Sequence, residues 1–207
     1  MIQIDFSTGL DAKIIQAKLR STPEEARKIL VKALNFTAKE TLPEISAFAQ
    51  KTYDVQDKVF EKGKGRFAEV KIQNATKNKL FSAIKVCGRK IPLFKFRTSP
   101  ATVPTPENMP DFIRAHVLKS SGMKPITKFG NKAFIAQMPN PKDVDSGHIG
   151  LFVREGKARL KIHEIMNNSV PHLVGSERVV TETVPKVEHF LYNEINKGME
   201  RFLRRRA

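Results

Sequence analysis

The chain of 207 residues is long enough for one substantial domain or two small ones, and its hydrophobic fraction of 40% is sufficient to build a core. Thirty-seven Lys and Arg against twenty-one Asp and Glu give a net charge of +16, which predicts a polyanion or an acidic protein surface as a neighbour. The single cysteine, Cys87, excludes an internal disulfide and a cysteine-rich metal site, and no apolar run approaches the length of about 20 residues that a membrane-spanning helix needs.

The N-terminal part of the chain carries helix signals after a short strand. Alternating apolar residues predict an edge strand over residues 2–6, and helical spacing predicts a short helix over residues 10–19. The stretch 22–25, Thr-Pro-Glu-Glu, combines a hydroxyl N-cap, a proline in the first turn and a glutamate three residues after the cap. We therefore expect a long helix to begin there and to bury one continuous apolar face as far as Ala49, with a bend near Pro43.

The next segments alternate between predicted strands and turns. Asp54 is placed to cap a shorter helix. Residues 68–72 alternate apolar and charged side chains and precede the apolar run 80–87, which predicts a hairpin. Residues 91–96 form a further predicted strand, which Pro92 restricts to the edge of a sheet.

Residues 97–113 hold four prolines with serine and threonine between them, a composition that predicts an extended surface loop. Proline-rich recognition by a partner is the alternative role for this loop. We treat the loop as an insertion in a single domain that spans residues 1–207, because no Gly/Pro-rich linker separates two halves with cores of their own.

The stretch 132–175 carries the densest strand pattern of the chain. The apolar run 133–136 predicts a buried strand, and residues 139–145 are expected to form a loop rich in proline and aspartate. Residues 148–154, a turn around Gly156 and a second aliphatic strand predict a hairpin. The residues predicted to form the core of this sheet are Phe134, Ile135, Leu151, Phe152 and Ile162.

The C-terminal segment predicts an amphipathic helix with a basic end. A helical segment can open at Ser176, and Pro185 is expected to interrupt it. The apolar stripe that follows should dock on the domain or on a neighbouring subunit, and consists of Val187, Phe190, Leu191, Ile195, Met199 and Phe202. The helix ends in more cations than capping requires, so we predict an interface or anion-binding cluster of Arg201, Arg204, Arg205 and Arg206.

These elements together predict an α+β fold. We expect a mainly antiparallel sheet built from hairpins, flanked by a long kinked N-terminal helix and a C-terminal amphipathic helix. No internal repeat is present in the sequence.

The sequence holds no pattern typical of a catalytic centre or a metal site. His163 and His172 are nine residues apart with a proline between them, which does not suit the two histidines of a zinc-binding helix. Glu155 and Glu164 have no fixed separation, so ion pairing is the expected role of both carboxylates. Cys87 lies in a predicted strand without a base signature beside it. We therefore predict no enzyme activity, no cofactor and no metal ion.

Three separated segments carry a resemblance to a known family. Between residues 133 and 171 the order is A-F-I-A, G-H-x-G-x-F-x-R, a basic turn, an aliphatic strand and S-V-P. This order resembles the prophage minor tail protein Z family, the tail-completion proteins of long-tailed phages. The segments A-L-N-x-T-A at 33–38 and I-P-L-x-x-F at 91–96 resemble the same family. Asn167 and Asn168 stand where the family usually has Gly-Pro. The motif residues to which we assign structural or interface roles are Phe134, Gly147, His148, Phe152 and Arg154.

The resemblance implies a structural morphogenesis protein that completes the tail at its head-proximal (neck) end. Tail and connector proteins would be its partners, and a homo-oligomer in a ring-like neck assembly is expected. The chain would be assembled in the host cytoplasm and reside in the virion, with no membrane contact. The first alternative is a basic nucleic-acid-binding module, and the second is an enzyme. Contact with phage DNA is left open in either the structural or the nucleic-acid-binding interpretation.

Overall fold

The computed structural model describes residues 2–6, 22–55, 68–140, 143–157 and 161–206. The helix predicted over residues 10–19 lies outside the described residues. The helix predicted after Asp54 lies mostly outside them too. Its first residue, Val55, is in an extended bridge to Phe96 and is not helical.

The long helix α1 (Pro23–Thr52) begins where its capping signals predict. The Thr22 hydroxyl accepts a hydrogen bond from the backbone N–H of Glu25, and the Glu25 carboxylate accepts one from the backbone N–H of Thr22. This second bond, from the Thr22 backbone, is the main reason why the pKa of Glu25 lies below its ordinary value. The helix runs on through Pro43, since a proline removes a single backbone donor while buried residues on both sides, including Leu42 and Ile45, hold the helix on the core.

Every strand pairing in the described ranges is antiparallel, and most of the strands are short. Their bounds are β1 (Ile2–Phe6), β2 (Ala68–Gln73), β3 (Ser82–Gly88), β4 (Lys90–Pro92), β5 (Arg97–Ser99), β6 (Arg114–His116), β7 (Lys124–Pro125), β8 (Thr127–Lys128), β9 (Asn131–Lys132), β10 (Phe134–Asn140), β11 (Asp143–Arg154), β12 (Ile162–Glu164) and β13 (Met166–Ser169). In the described part of the chain they form the sheets β1-β3-β2, β10-β11-β12, β13-β4, β5-β6-β7 and β8-β9. The α+β class is therefore confirmed, with the hairpins divided among several small sheets.

Two helices follow the strands. The short helix α2 (Val170–Val174) opens directly after Ser169, within the predicted S-V-P segment. The helix α3 (Glu177–Arg204) fills the C-terminal region. The interruption expected at Pro185 is wrong, because α3 continues through this proline while Thr183 before it and Val187 after it pack inward.

The helices α1 and α3 pack antiparallel along the apolar stripe predicted for α3. Ile195 is buried against Ala26, Leu30 and Ala33 near the start of α1, and the Lys186 ammonium contacts the Glu44 carboxylate nearer the other end. Close approach is possible at Gly198, where a Cβ atom would lie only 2.7 Å from Cγ2 of Ile29. The docking predicted for this stripe is thus made within the chain.

The main core lies between α1, α2, the start of α3 and the inner faces of the small sheets. A pair of hydrogen bonds also joins α1 to the segment between β2 and β3. The Asn35 side chain accepts from the backbone N–H of Ala75 at 2.6 Å and donates to the carbonyl oxygen of Ala75 at 3.1 Å. A side-chain amide can satisfy both backbone groups of one residue in this way. Asn35 therefore fixes the connection between β2 and β3 on the surface of α1.

Several boundaries differ from the sequence predictions. The loop expected over residues 139–145 is wrong, because β10 runs to Asn140 and β11 begins at Asp143. The strand expected over residues 91–96 stops at Pro92, and a 3-10 helix (Leu93–Lys95) follows. In the segment 97–113, the first three residues form β5, where Thr98 is buried, and a 3-10 helix (Pro106–Asn108) lies within a mostly exposed stretch that ends at the buried Ile113.

We predict that Thr22→Ala destabilises the protein by about 1 kcal/mol, the usual cost of losing a hydroxyl N-cap. Equilibrium unfolding in urea would measure the change in the free energy of unfolding. Thr22→Ser keeps the hydroxyl and should leave the stability almost unchanged. Equal losses for both variants would show that the capping hydrogen bonds do not stabilise α1.

Candidate interaction surface

The alternation of side chains along β11 separates its residues into two faces. Leu151 and Val153 are fully buried in the main core, together with Ile135 of β10. His148, Gly150, Phe152 and Arg154 alternate with them and lie on the opposite, outer face. Within the motif G-H-x-G-x-F-x-R, the residues from His148 onward that the motif specifies therefore form one row on this outer face.

The predicted core residues divide between the two faces. Ile135 and Leu151 belong to the core, as expected. Phe152 is buried as well, but on the outer face, where it is paired with Phe134 of β10 and with Glu164 of β12. Phe134 and Ile162 are only half-buried. The sheet thus has a small second layer of side chains on its outer face.

This layer is made of aromatic and cationic groups. The ring centroids of Phe134 and Phe152 lie 6.1 Å apart, and the His148 ring stands edge-on to Phe152 at 6.4 Å. The Arg154 guanidinium lies 5.5 Å from the centroid of Phe134, within the range of a cation–π contact. Four of the five motif residues named from the sequence are therefore brought together.

A hydrogen bond between His148 and Glu164 crosses this face above Gly150. Nε2 of His148 and Oε1 of Glu164 are 2.7 Å apart. A Cβ atom on Gly150 would lie 2.8 Å from the same Glu164 oxygen and 2.8 Å from Cζ of Phe152. Glycine at this position therefore leaves the space in which the Glu164 carboxylate and the Phe152 ring meet.

Gly147, the fifth motif residue, has a backbone role. A Cβ atom there would lie 2.6 Å from the carbonyl oxygen of Met138 on β10. Because a backbone atom cannot move aside as a side chain can, a larger residue would separate the two strands at this point. Gly147 thus permits the close pairing of β10 and β11.

A hairpin that the sequence reasoning missed lies beside the motif face. Phe129 and Gly130 are the two-residue connection between β8 and β9, and their φ angles are 55° and 74°. Positive φ at both positions is typical of a type I′ turn, in which asparagine and glycine are preferred. An aromatic residue in this conformation is unusual, and Phe129 is 50% exposed. The F-G pair between two short polar segments was the available signal.

Asn131 fastens this hairpin to the end of β11. Its side-chain amide donates to the carbonyl oxygens of Arg154 at 3.0 Å and Gly156 at 3.1 Å. The Phe129 ring also lies 5.9 Å from the ring of His163, which follows the same turn. The hairpin tip is therefore placed next to the motif face by contacts with both sides of the β11–β12 turn.

Lysine ammonium groups lie over two further phenyl rings in this region. Lys132 is 4.3 Å from the centroid of Phe112, and Lys128 is 5.1 Å from that of Phe129. Each of these rings is at least 40% exposed. We use the name basic aromatic surface for the set Phe112, Lys128, Phe129, Lys132, Phe134 and Arg154.

Glu155, one of the acidic residues next to this surface, is engaged by other cations. Glu155 accepts from His163 at 2.7 Å and from Lys161 at 3.2 Å. These two contacts, the one with His163 first, hold the pKa of Glu155 below its ordinary value. The carboxylate is thus ionised at neutral pH and directed towards the β11–β12 turn.

The predicted arginine cluster lies elsewhere, at the C-terminal end of α3. Arg201, Arg204, Arg205 and Arg206 are all exposed. The Arg206 guanidinium lies 4.8 Å from the centroid of the Phe202 ring, and its charge contributes to the lowered pKa of Glu25. The cluster therefore sits beside the start of α1.

A histidine–aspartate pair occurs where α1 ends, but its geometry is structural. Nδ1 of His116 lies 2.6 Å from Oδ2 of Asp54, while Nε2 contacts the carbonyl oxygen of Ser121. Because both ring nitrogens face acceptors, neither is left to take a proton from a substrate or a nucleophile. The pair ties Asp54, two residues after the end of α1, to β6 and to the turn that follows β6.

Neither a metal centre nor a membrane span is found in the described ranges. Within them, no group of three histidine, cysteine or acidic side chains is placed to hold a metal ion. None of the helices in the described ranges combines the length and the apolar character needed to cross a membrane.

We predict that Gly150→Ala destabilises the protein by about 1–3 kcal/mol, the usual cost of overfilling a packed site. The added methyl group must displace the Glu164 carboxylate or the Phe152 ring, so at least one of the two contacts of His148, the bond to Glu164 or the edge-on contact with Phe152, should be disturbed. Thermal unfolding and the NMR signals of the His148 ring would measure both effects. Gly122→Ala is the control, because its Cβ meets no atom within 4 Å. Unchanged His148 signals in Gly150→Ala would contradict this account of the glycine.

Comparison with known proteins adds no family assignment. No family model matches the chain, and neither a curated protein nor a solved structure matches it.

Proposed function

We propose that this chain is a structural protein of phage tail morphogenesis that acts in tail completion at the neck end of the tail. It works by binding: its partners are the neighbouring tail and connector proteins and further copies of itself. It performs no chemistry, needs no cofactor, and is assembled in the host cytoplasm into the virion. The proposal rests first on the resemblance of the three segments described above.

The observation that carries the proposal is the arrangement of the motif on one sheet face. His148 is held by Glu164, Arg154 lies over Phe134, and Phe152 is packed between the two aromatic neighbours. Aromatic and arginine side chains are the residue types that dominate protein interfaces, and in this row His148 and Arg154 are exposed while Phe134 is half-buried. A row of this kind suits recognition of another protein better than it suits catalysis.

The other family-like segments occupy structural positions, which also supports the proposal. In the I-P-L-x-x-F segment, Ile91, Leu93 and Phe96 are all buried. In the A-L-N-x-T-A segment, Asn35 makes the two bonds to Ala75 that fix the β2–β3 connection. The family-like segments therefore include residues that stabilise the fold as well as residues that form the outer sheet face.

A nucleic-acid-binding module is the second candidate, and the distribution of charge favours it. Residues 70–140 hold thirteen Lys and Arg but only two acidic residues, Glu107 and Asp111. By contrast, α3 holds five of each sign, so the positive charge is concentrated among the strands. Such a concentration is the usual electrostatic signature of phosphate binding.

We predict that Arg154→Ala leaves the fold intact but reduces the yield of completed, infectious particles. Arg154 is exposed, so its removal takes away a contact with a partner without emptying the core. Phage titre and electron microscopy of unjoined heads and tails would measure the effect. Arg154→Lys is the control that keeps the charge. If His148→Ala or Arg154→Ala left assembly intact and abolished a hydrolytic activity, the structural function would be overturned.

We predict that changing Arg204, Arg205 and Arg206 together to Glu also yields a folded monomer whose particles fail to complete. The exposed cluster would then repel the anionic surface, protein or DNA, that it otherwise meets. The matched control changes the same three residues to Lys. Normal titres for the Glu variant would remove the cluster from the functional surface.

For the second candidate, the measurement is binding of purified protein to duplex DNA at several salt concentrations. Phosphate contacts require an affinity that falls steeply and linearly on logarithmic axes as salt rises. Binding of this kind, together with normal assembly of the Arg154→Ala variant, would favour the nucleic-acid module over tail completion.

A further inference from the structure

The outer side of α3 carries an apolar strip with acidic residues in it. Val180, Val184, Glu188 and Tyr192 follow one another at four-residue spacing and therefore share one side of the helix, with Glu177 one turn before them. Val184 is 46% exposed and Tyr192 is 61% exposed, although neighbouring residues of α3 pack against α1. We use the name acidic strip for Glu177, Val180, Val184, Glu188 and Tyr192.

We propose that the acidic strip of one copy docks on the basic aromatic surface of a second copy of this chain. The two surfaces are complementary in charge, because the strip contributes two carboxylates and the other surface contributes Lys128, Lys132 and Arg154. They are also complementary in apolar groups, because both expose aromatic side chains. The inference deepens the self-assembly part of the proposed function by naming the two faces that meet.

The conformation of Phe129 supports a binding role for the hairpin tip. Positive φ at a phenylalanine is disfavoured, and the exposed half of its ring gains little from burial within this chain. An unfavourable backbone conformation that holds an exposed aromatic side chain is typical of a site that binds another molecule. The docked partner would cover the ring and offset the conformational cost.

The positions of the cations favour a protein partner over a single-stranded nucleic acid. Bases bind by stacking on open aromatic faces. Here Lys128 lies over the ring of Phe129, Lys132 over that of Phe112, and Arg154 over that of Phe134. Carboxylates can meet these cations from outside while the valine and tyrosine side chains of the strip reach the ring edges.

The two surfaces are different, so the contact is of the head-to-tail kind. Each docking event leaves one acidic strip and one basic aromatic surface free for further copies. Rings form if the rotation between copies closes, and open filaments form if it does not. Association should therefore pass beyond a dimer in the unmodified protein.

The test is self-association of the purified full chain, measured by sedimentation velocity over a dilution series at low and high salt. The basic-surface variant combines Lys128→Glu, Phe129→Asn and Lys132→Glu. Asparagine suits the turn, so this variant should fold at least as stably as the parent. The strip variant combines Glu177→Lys and Glu188→Lys. Lys79→Glu is the control, because Lys79 lies 5.2 Å over the ring of Phe81 outside both surfaces.

We expect the parent and Lys79→Glu to form salt-sensitive oligomers and each surface variant to be monomeric alone. An equimolar mixture of the two variants should regain association, since the intact strip of one variant then meets the intact basic surface of the other. A parent that stays monomeric at every concentration and salt, oligomers unaffected by both variants, or a mixture that stays monomeric would each overturn the inference. If the parent formed no oligomers but bound oligo-dT, and the basic-surface variant with Phe129→Asn did not bind it, the surface would be assigned to a nucleic acid instead. All of these measurements use purified protein, whereas the proposed tail function is tested in virions. A negative result here would therefore overturn the self-docking inference without deciding the proposed function.

Discussion

The two-residue period of β11 is the constraint on which the rest of the account depends. Leu151 and Val153 belong to the main core, so the alternate residues of the same strand must lie on the outer face. A shift of register by one residue would bury His148 and Arg154 and expose the core leucine. The pairing of β11 with β10 on one side and β12 on the other therefore fixes the fold and the candidate surface together.

Charge is divided between the helices and the strands in the same structure. Within α3 the acidic and basic residues are equal in number, while the strands between residues 70 and 140 are strongly basic. Repulsion among these cations works against the compact state, since like charges such as Lys71 and Lys85 lie directly opposite each other on β2 and β3. The core contacts outweigh this repulsion, and an anionic neighbour would relieve it.

The sequence predicted elements whose signals are local. The start of α1 followed from the capping box, the β2–β3 hairpin from alternation, and the stripe of α3 from helical spacing. Features decided by tertiary contacts were missed. Pro185 does not stop α3, because packing on both sides of the proline outweighs one lost hydrogen bond. At the turn between β8 and β9 the local signal was weak, because Gly130 suits the positive φ of the turn but Phe129 does not. Phe152 lies on the outer face because its strand register, and not its hydrophobicity, decides where it points.

The most direct measurement of the central claim is a cryo-EM map of the neck of the virion that contains this chain. The account predicts that the chain occupies the head-proximal end of the tail, with the outer face of β10-β11-β12 against a neighbouring protein. Arg154 and Phe134 should lie within that contact. A neck in which every density belongs to other proteins would contradict the proposed function. A chain present there with this face exposed to solvent would contradict the role given to the motif.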